Sequence, residues 1–319
     1  MNMKNSKIKY LFKEYTVVFV LIVLSLLFYL GNPAFLKMGN IITILRQSSI
    51  LGICAMGMMT LVIVGELNLS MGATISLTTV VIATLVTKTN IPWPLAMILS
   101  LLMTTIIGFL TGMIVVKTKI VPMIGTIALS TLISGIAYII VGGLPVSMMG
   151  QSPSINWFYR GDILGLPVPI IIWLIVILIF MFIYHKTYYG RHIFASGSNA
   201  EAARLSGINT DFIKISVYTL AGTLCGMAGI LMLGRMGSGQ PNSASTLDMD
   251  VLSAVIIGGV SFAGGEGKIS KAVSGIILIS ALRNGMTLNG VDDYVQMVVT
   301  GAVFLAAVIL DAYQQRKRN

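Results

Sequence analysis

The run IIIWLIVILIFMFI, from Ile170 to Ile183, decides the fold class of this chain. It contains no charged residue and does not alternate between apolar and polar positions, so it is typical of a transmembrane helix and not of a strand in a membrane barrel. The whole composition agrees, because 56% of the 319 residues are hydrophobic and only 10% are charged. A soluble domain carries about 25% charged residues. The sequence therefore predicts an all-α polytopic membrane protein.

Apolar runs of this kind recur along the chain. At about 20 apolar residues for each bilayer crossing, they predict about ten transmembrane helices. Two of these, 71–87 and 251–263, are short and interrupted by Gly or Ser, which indicates broken or re-entrant segments shielded by protein. We expect one transmembrane domain over 1–319. The predicted spans are 15–30, 41–64, 71–87, 95–116, 120–141, 168–184, 212–233, 251–263, 269–284 and 294–311.

Lysine and arginine residues indicate the orientation. Most of the 21 basic residues fall on cytosolic segments if the N-terminus is inside, and an even number of spans returns the sequence QQRKRN to the same side. We therefore expect cytosolic N- and C-termini, a cytosolic loop at 185–211 and a long outer loop at 142–167. In the outer loop, adjacent Trp157, Phe158 and Tyr159 favour an interfacial anchor or a docking surface for an external partner. The net charge of +10 reflects this topology and does not indicate a nucleic-acid partner.

The cytosolic loop contains a predicted helix within YYGRHIFASGSNAEAARLSGINTDFIK, from Tyr188 to Lys214. Ser198 and Glu201 have the spacing of a capping box, in which each side chain satisfies a free backbone donor. The alanine-rich turn that follows favours helix, and Gly207 is a typical C-terminal stop. A helix this short is below the roughly 12–15 residues that are marginally stable in water. We expect the flanking spans or a partner surface to hold it.

The sequence lacks the motifs of an enzyme or an ATP-binding protein. GGEGKIS, at Gly264–Ser270, resembles a phosphate-binding loop, but its lysine is followed by isoleucine instead of Ser or Thr. His185 and His192 have no cysteine or carboxylate cluster beside them, so no metal site is predicted. Cys54 and Cys225 lie in apolar runs and are expected to be packing residues.

Charged residues inside the predicted spans are scarce. Asp248 and Asp250 fall at the outer end of the eighth span, and we expect no buried acid–base pair that could relay protons. The energy for any transport is then supplied from outside this polypeptide. Glu66 is placed in solvent at the cytosolic border.

The stretch VGELNLSMG, which contains Glu66, has two interpretations. It is an ordinary polar turn with Ser70 capping the third helix, or it is an unwound segment whose Asn68 and Ser70 line a polar pathway. A pathway for a neutral polyol needs hydroxyl and amide groups with little fixed charge. Hydroxyl side chains in the spans, such as Ser130 and Ser134, supply these groups sparsely, although each one alone is more often bonded within its own helix.

Three stretches of the chain resemble the permease subunits of bacterial ATP-binding-cassette importers for monosaccharides, the branch that also includes the autoinducer-2 permeases. They are GELNLSMGA at Gly65–Ala73, GRHIFASGSNAEAARLSGI at Gly190–Ile208 and AVIIGGVSFAGGEGKI at Ala254–Ile269, with a weaker match, VPMIGTIAL, at Val121–Leu129. The resemblance covers nearly the full length in the same order. One departure is Asn68, which stands where the family usually has Asp.

The resemblance implies a permease for a small neutral sugar or sugar-like solute in a bacterial cell membrane. It implies as partners a second permease, identical or paralogous, two cytosolic ATPase subunits or one tandem ATPase, and an external substrate-binding protein. The cofactors ATP and Mg would bind the ATPase and not this chain. The loop helix would be the coupling helix, with Ser198, Asn199, Glu201, Ala202, Ala203, Arg204, Leu205 and Gly207 at the ATPase. The pathway or gating candidates are Glu66, Asn68, Ser70, Gly258, Gly259 and Ser261.

Other functions stay open at this point. Within the family, the solute is alternatively a nucleoside or a branched-chain amino acid. A secondary carrier that works alone is disfavoured by the shortage of intramembrane acids, and a membrane enzyme by the lack of a nucleophile–base or metal cluster. The loop helix is alternatively a self-contained element with Glu201 and Arg204 as solvated charges.

Overall fold

The computed structural model describes residues 3–148 and 153–316, and most of these residues are helical. The helices are α1 (Met3–Gly31), α2 (Met38–Ile63), α3 (Met71–Lys88), α4 (Trp93–Thr118), α5 (Pro122–Val141), α6 (Pro153–Arg160), α7 (Val168–Lys186), α8 (Tyr188–Ser198), α9 (Ala200–Leu205), α10 (Thr210–Met236), α11 (Leu247–Ile257), α12 (Ile269–Leu288) and α13 (Asp293–Arg316). A 3-10 turn spans Pro33–Leu36, and two-residue strands pair Val146–Ser147 with Ser238–Gly239 and Asp162–Ile163 with Leu166–Pro167.

Six of the described helices, α2, α3, α4, α5, α7 and α10, are long and apolar enough to cross a membrane. Shorter apolar stretches lie at Thr16–Gly31 in α1 and at Asp293–Ile309 in α13. The all-α polytopic class is therefore confirmed. The number of crossings, the single domain over 1–319 and the cytosolic position of the termini stay predictions.

Helix α10 lies at the centre of the bundle and packs against α2, α3 and α4. Small residues permit this packing, since a Cβ on Gly108 would lie 2.9 Å from the Cα of Gly222, and one on Gly112 would lie 2.9 Å from the Cβ of Tyr218. Gly108 and Gly112, which are four residues apart on α4, therefore allow the two helices to approach closely. Cys54 and Cys225 are buried free thiols in the same core, as predicted.

Helix α2 ends in a buried turn that leads directly into α3. Gly65 adopts φ +77°, and its N–H donates to the Val62 carbonyl at 3.0 Å while the Glu66 N–H donates to the Leu61 carbonyl at 2.8 Å. These two bonds form a Schellman C-cap, which requires a left-handed residue that Gly adopts without strain. The sequence GELNLS is thus folded back into the bundle instead of projecting from it.

Helix α11 is a short helix preceded by non-helical chain inside the bundle. The predicted span 251–263 is wrong at both ends, because the helix begins at Leu247 and ends at Ile257. A second Schellman cap closes it, with Gly259 at φ +77°. Its 11 residues reach about 16 Å at 1.5 Å per residue, roughly half of a hydrocarbon core.

Hydroxyl groups of α3 accept hydrogen bonds from backbone N–H groups of the non-helical chain before α11. The Gln240 N–H donates to Thr79 Oγ1 at 3.2 Å, and the Ala244 N–H donates to Ser76 Oγ at 3.1 Å. Irregular backbone at membrane depth is tolerated only where protein groups bond it in this way. The side chains of α3 therefore hold the non-helical chain that precedes α11, outside the predicted span 251–263.

Candidate functional sites

Helices α8 and α9 form one end of the bundle, which we call the loop end. Asn199 is the N-cap of α9, and its Oδ1 accepts from the N–H groups of Glu201 at 3.1 Å and Ala202 at 2.9 Å. The predicted Ser198–Glu201 capping box is wrong, because Ser198 is the last residue of α8 and its hydroxyl donates to the Phe194 carbonyl. Asn shares the N-cap preference of Ser, so the sequence allowed either residue.

The surface of α9 is mostly exposed. Leu205 is 85% exposed, although it is a large apolar residue, and Ala203 is the one buried residue of this helix. Gly207 adopts φ +85° just after the helix, as a C-terminal stop requires. The exposed members of the predicted coupling set are Ser198, Asn199, Glu201, Ala202, Arg204, Leu205 and Gly207, whereas Ala203 faces its own chain.

Helix α8 is an element that the sequence analysis missed. The hydroxyl of Thr187 caps it by accepting from the Gly190 N–H at 3.1 Å. A threonine at this N-cap position was therefore the sequence signal from which the start of α8 could have been predicted. The Tyr189 hydroxyl and Ser216 Oγ are 2.7 Å apart, which joins α8 to α10. Burial raises the pKa of the Tyr189 phenol above its ordinary value, so this bridge stays protonated at neutral pH.

The three family-like stretches meet at the loop end. The Gly265 N–H donates to the Ile63 carbonyl at 2.8 Å, and a Cβ on Gly265 would lie 2.5 Å from Ser198 Oγ. Gly197 packs so closely on the Ile63 carbonyl that no side chain fits there. The loop after α11, the end of α2 and the end of α8 therefore form one tightly packed junction.

Glu66 lies in a buried ion pair beside this junction. Lys214 Nζ donates to Glu66 Oε1 at 2.6 Å, and the Tyr218 hydroxyl donates to Glu66 Oε2 at 3.1 Å. The expectation that Glu66 is solvated is wrong, since only 5% of the residue is exposed. A buried carboxylate needs such partners because losing its hydration is costly. The pair ties the turn after α2 to the first turns of α10.

A second buried pair joins α11 to α12. Arg283 Nη2 lies 2.7 Å from Asp250 Oδ1, and the Asp250 side chain is almost fully buried. The sequence analysis predicted neither of these two buried pairs, whereas the absence of a proton relay within the spans stays a prediction. Each acid bonds a basic side chain of another element, so the two pairs are structural ties within the bundle.

Asn68 and Ser70 bond each other at the start of α3. Asn68 Oδ1 accepts from the Ser70 N–H at 2.9 Å and from the Ser70 hydroxyl at 2.7 Å, which is an Asx turn. Ser70 occupies the N-cap position, but its side chain makes no capping bond. The Leu69 N–H instead donates to Thr126 Oγ1 of α5 at 3.1 Å. An Asp at position 68 could accept the same two bonds, so the family difference leaves this turn intact.

A cavity of about 520 Å³ lies beside this turn, between α5 and the first turn of α11. Its apolar lining includes Leu69, Ile127 and Met249. Asp248 reaches from it to α3, where its Oδ1 accepts from the Gly72 N–H at 2.7 Å. The polar groups of the cavity are Ser130, Thr131, Ser134, Tyr138, Ser245 and Asp248. The predicted candidates Gly258, Gly259 and Ser261 lie instead at the other end of α11, in the loop that leads to the junction.

Comparison with protein families gives one match over most of the chain. Residues 40–308 match the model described as branched-chain amino acid transport system / permease component. No solved structure matches the chain.

Individual relatives cover nearly the whole sequence. The ribose import permease protein of Bacillus subtilis is 36% identical over 291 residues, which is 91% of this chain and 90% of the relative. The ribose import permease protein of Escherichia coli is 36% identical over 286 residues, 89% of each chain. The L-arabinose transport system permease protein of Escherichia coli is 34% identical over 308 residues, 95% of this chain and 91% of the relative.

Proposed function

This chain belongs to the branched-chain amino acid transport system / permease component family, and from that membership we propose that it forms the membrane pathway for a small neutral sugar in an ATP-driven importer. It is a multi-pass protein of the bacterial inner membrane and a transport subunit, not an enzyme. The observation that carries the choice of solute is the near-complete match to permeases named for ribose and L-arabinose.

The loop end supports an external motor. Helix α9 is short, capped and anchored on one side by Ala203, while the described part of the chain leaves Leu205 85% exposed. Such an isolated apolar side chain with Glu201 and Arg204 beside it suits docking into a groove of a cytosolic ATPase. ATP and Mg then act on that partner, and the tight junction carries its movement to α2, α10 and α11.

The remaining partners follow from the same proposal. A second permease, identical or paralogous, completes the pathway, and an external binding protein delivers the solute. Two ATPase subunits, or one tandem ATPase, dock at the loop end. The proposed orientation places both termini and the loop end in the cytosol, in line with the distribution of lysine and arginine.

A carrier driven by a proton gradient is the main competitor from another class. Its best support is the presence of buried acids in the bundle, at Glu66 and Asp250. Each of these two acids bonds a basic side chain at 2.7 Å or less, so both contacts serve as structural ties between elements of the bundle. The pairing therefore favours the ATP-driven importer.

Uptake by a reconstituted complex tests the solute class. Proteoliposomes containing this permease, its ATPase and its binding protein would be given labelled D-ribose, L-arabinose or L-leucine with ATP inside. We expect saturable uptake of one of the two sugars and none of leucine. Leucine uptake without sugar uptake would instead favour the amino-acid branch named by the family model.

A further inference from the structure

We propose that the cavity between α5 and the first turn of α11 is the site that a polyhydroxylated solute occupies during transit. The proposal rests on the importer function above and names where its solute binds. The cavity volume of about 520 Å³ lies within the roughly 300–1,000 Å³ of small-molecule sites. Hydroxyl groups dominate its polar lining, and Asp248 supplies its carboxyl group.

Most hydroxyl groups of the cavity differ from the others in this bundle, although Thr131 donates to the Ile127 carbonyl of its own helix. Serine and threonine in the helices usually donate to a carbonyl of their own helix, as Thr74 and Thr78 do at 2.8 Å. Within residues 3–148 and 153–316, the structure gives no hydrogen-bond partner to the side-chain hydroxyls of Ser130, Ser134 or Tyr138. The hydroxyl of Ser245, on the chain before α11, also lacks one there.

These free groups form a regular array. Ser130, Ser134 and Tyr138 are spaced four residues apart on α5, so they lie on one face of the helix and follow its axis. Three unbonded hydroxyl groups in a row offer both donors and acceptors, which a sugar can match with its own hydroxyls. Gly135, on the same wall, leaves open space next to this face.

Asp248 adds acceptors to the opposite wall. One carboxyl oxygen accepts from the Gly72 N–H. A carboxyl group has further lone pairs, so sites remain for solute hydroxyls that point toward it. The bond to α3 fixes the carboxyl group in place, and the wall is therefore formed before the solute arrives.

The position of the cavity suits a solute that passes through the bundle. Leu69, in its lining, belongs to the turn that Glu66 ties to α10, and Asp248 begins the helix whose other end leads to the junction with α8. Movement at the loop end can thus alter the turn on one wall and α11 on the other wall. We therefore expect the solute site to open and close with α9.

A bulky residue inside the cavity tests the proposal. A Cβ on Gly135 meets no atom within 4 Å, so Gly135→Trp should fill the cavity without disturbing the backbone. Gly301 of α13 has the same open space and does not line the cavity, which makes Gly301→Trp the matched control. In the complete reconstituted transporter we expect Gly135→Trp to lower D-ribose uptake at least tenfold, while Gly301→Trp stays near the wild-type rate.

Chemical protection supplies a measurement that does not depend on the rate of transport. Ser134→Cys places a thiol in the cavity, whereas Cys54 and Cys225 are buried and should not react. We expect a small polar thiol reagent to label position 134, and D-ribose with loaded binding protein and ATP to slow the labelling several-fold. Suppose that the wild-type transporter imports D-ribose, that Gly135→Trp imports it at the same rate, and that D-ribose does not slow the labelling of Ser134→Cys. These results would overturn the cavity site and leave the proposed function intact. Failure of the wild-type transporter to import either sugar would overturn the proposed function and the cavity site with it.

Discussion

At the residue scale, the ion pair between Lys214 and the buried Glu66 makes a testable contribution to stability, since its two charged atoms are 2.6 Å apart. Lys214→Met should remove the partner of a buried carboxylate, a change that typically costs about 3–5 kcal/mol. The double variant Glu66→Gln/Lys214→Met should recover much of that loss, because no charge is left buried. Thermal or denaturant unfolding of the purified protein in detergent measures both changes.

An exposed pair at the same end of the bundle provides the control for this prediction. Lys117 and Asp211 are 3.6 Å apart with side chains 57% and 40% exposed. Exposed pairs contribute about 0–1 kcal/mol, so Lys117→Met should change the stability little. Equal losses for Lys117→Met and Lys214→Met would show that the Glu66 pair is not a buried tie.

Gly72 gives a second residue-scale prediction. A Cβ at this position would lie 3.1 Å from Asp248 Oδ2 and still closer to the Ala244 carbonyl oxygen, which is backbone and cannot move aside. Gly72→Ala should therefore lower the free energy of unfolding by about 1–3 kcal/mol. Gly135→Ala, where the Cβ meets open space, should raise it by roughly 0.5–1 kcal/mol because alanine favours helix. The opposite order would mean that Asp248 does not hold the start of α3.

At the element scale, the sequence predicted α9 because its signals are local. An N-cap residue, an alanine-rich turn and Gly207 are close together in the chain, and only the cap residue differed, Asn199 instead of Ser198. Helix α8 was missed because its cap, Thr187, directly follows a long apolar helix. The start of α11 was missed because hydroxyls of α3 hold the chain before it, and no local pattern records such a contact.

The exposed end of α9 carries the element-scale prediction. If Leu205 docks into the ATPase, Leu205→Ala should cost about 2 kcal/mol of binding, as at interface hot spots. This is a roughly thirtyfold weaker ATPase affinity, which pull-down of the ATPase by the purified permease can measure. Leu164, fully exposed in the loop before α7, is the matched control, and Leu164→Ala should have no effect on ATPase binding. Identical ATPase binding by both variants would place the docking surface elsewhere.

At the scale of the whole molecule, composition alone was sufficient for the fold class, because few charges and many long apolar runs leave no soluble alternative. The candidate sites were less predictable. The Lys214–Glu66 contact joins residues 148 positions apart, and no sequence pattern around either residue predicts that the two side chains meet. The same is true of Gly72 and Asp248, which are 176 positions apart. Long-range pairs of this kind arise from packing of the complete bundle, so sequence patterns placed Glu66 in solvent.

The whole bundle also shows why the charge argument needed correction. Buried acids are present at Glu66 and Asp250, yet each bonds a basic side chain of the same chain, Lys214 or Arg283. These contacts are structural ties between elements of the bundle. The energy source is therefore expected to lie outside this chain, at the surface formed by α8 and α9.

The most direct test of this external energy source is sugar uptake into proteoliposomes that contain the permease with or without the ATPase subunit. Each preparation would carry the binding protein and labelled D-ribose, with ATP or an imposed proton gradient as the energy source. We predict uptake only when both the ATPase and ATP are present, and no effect of the proton gradient. Uptake that persists without the ATPase and follows the proton gradient would contradict the central claim.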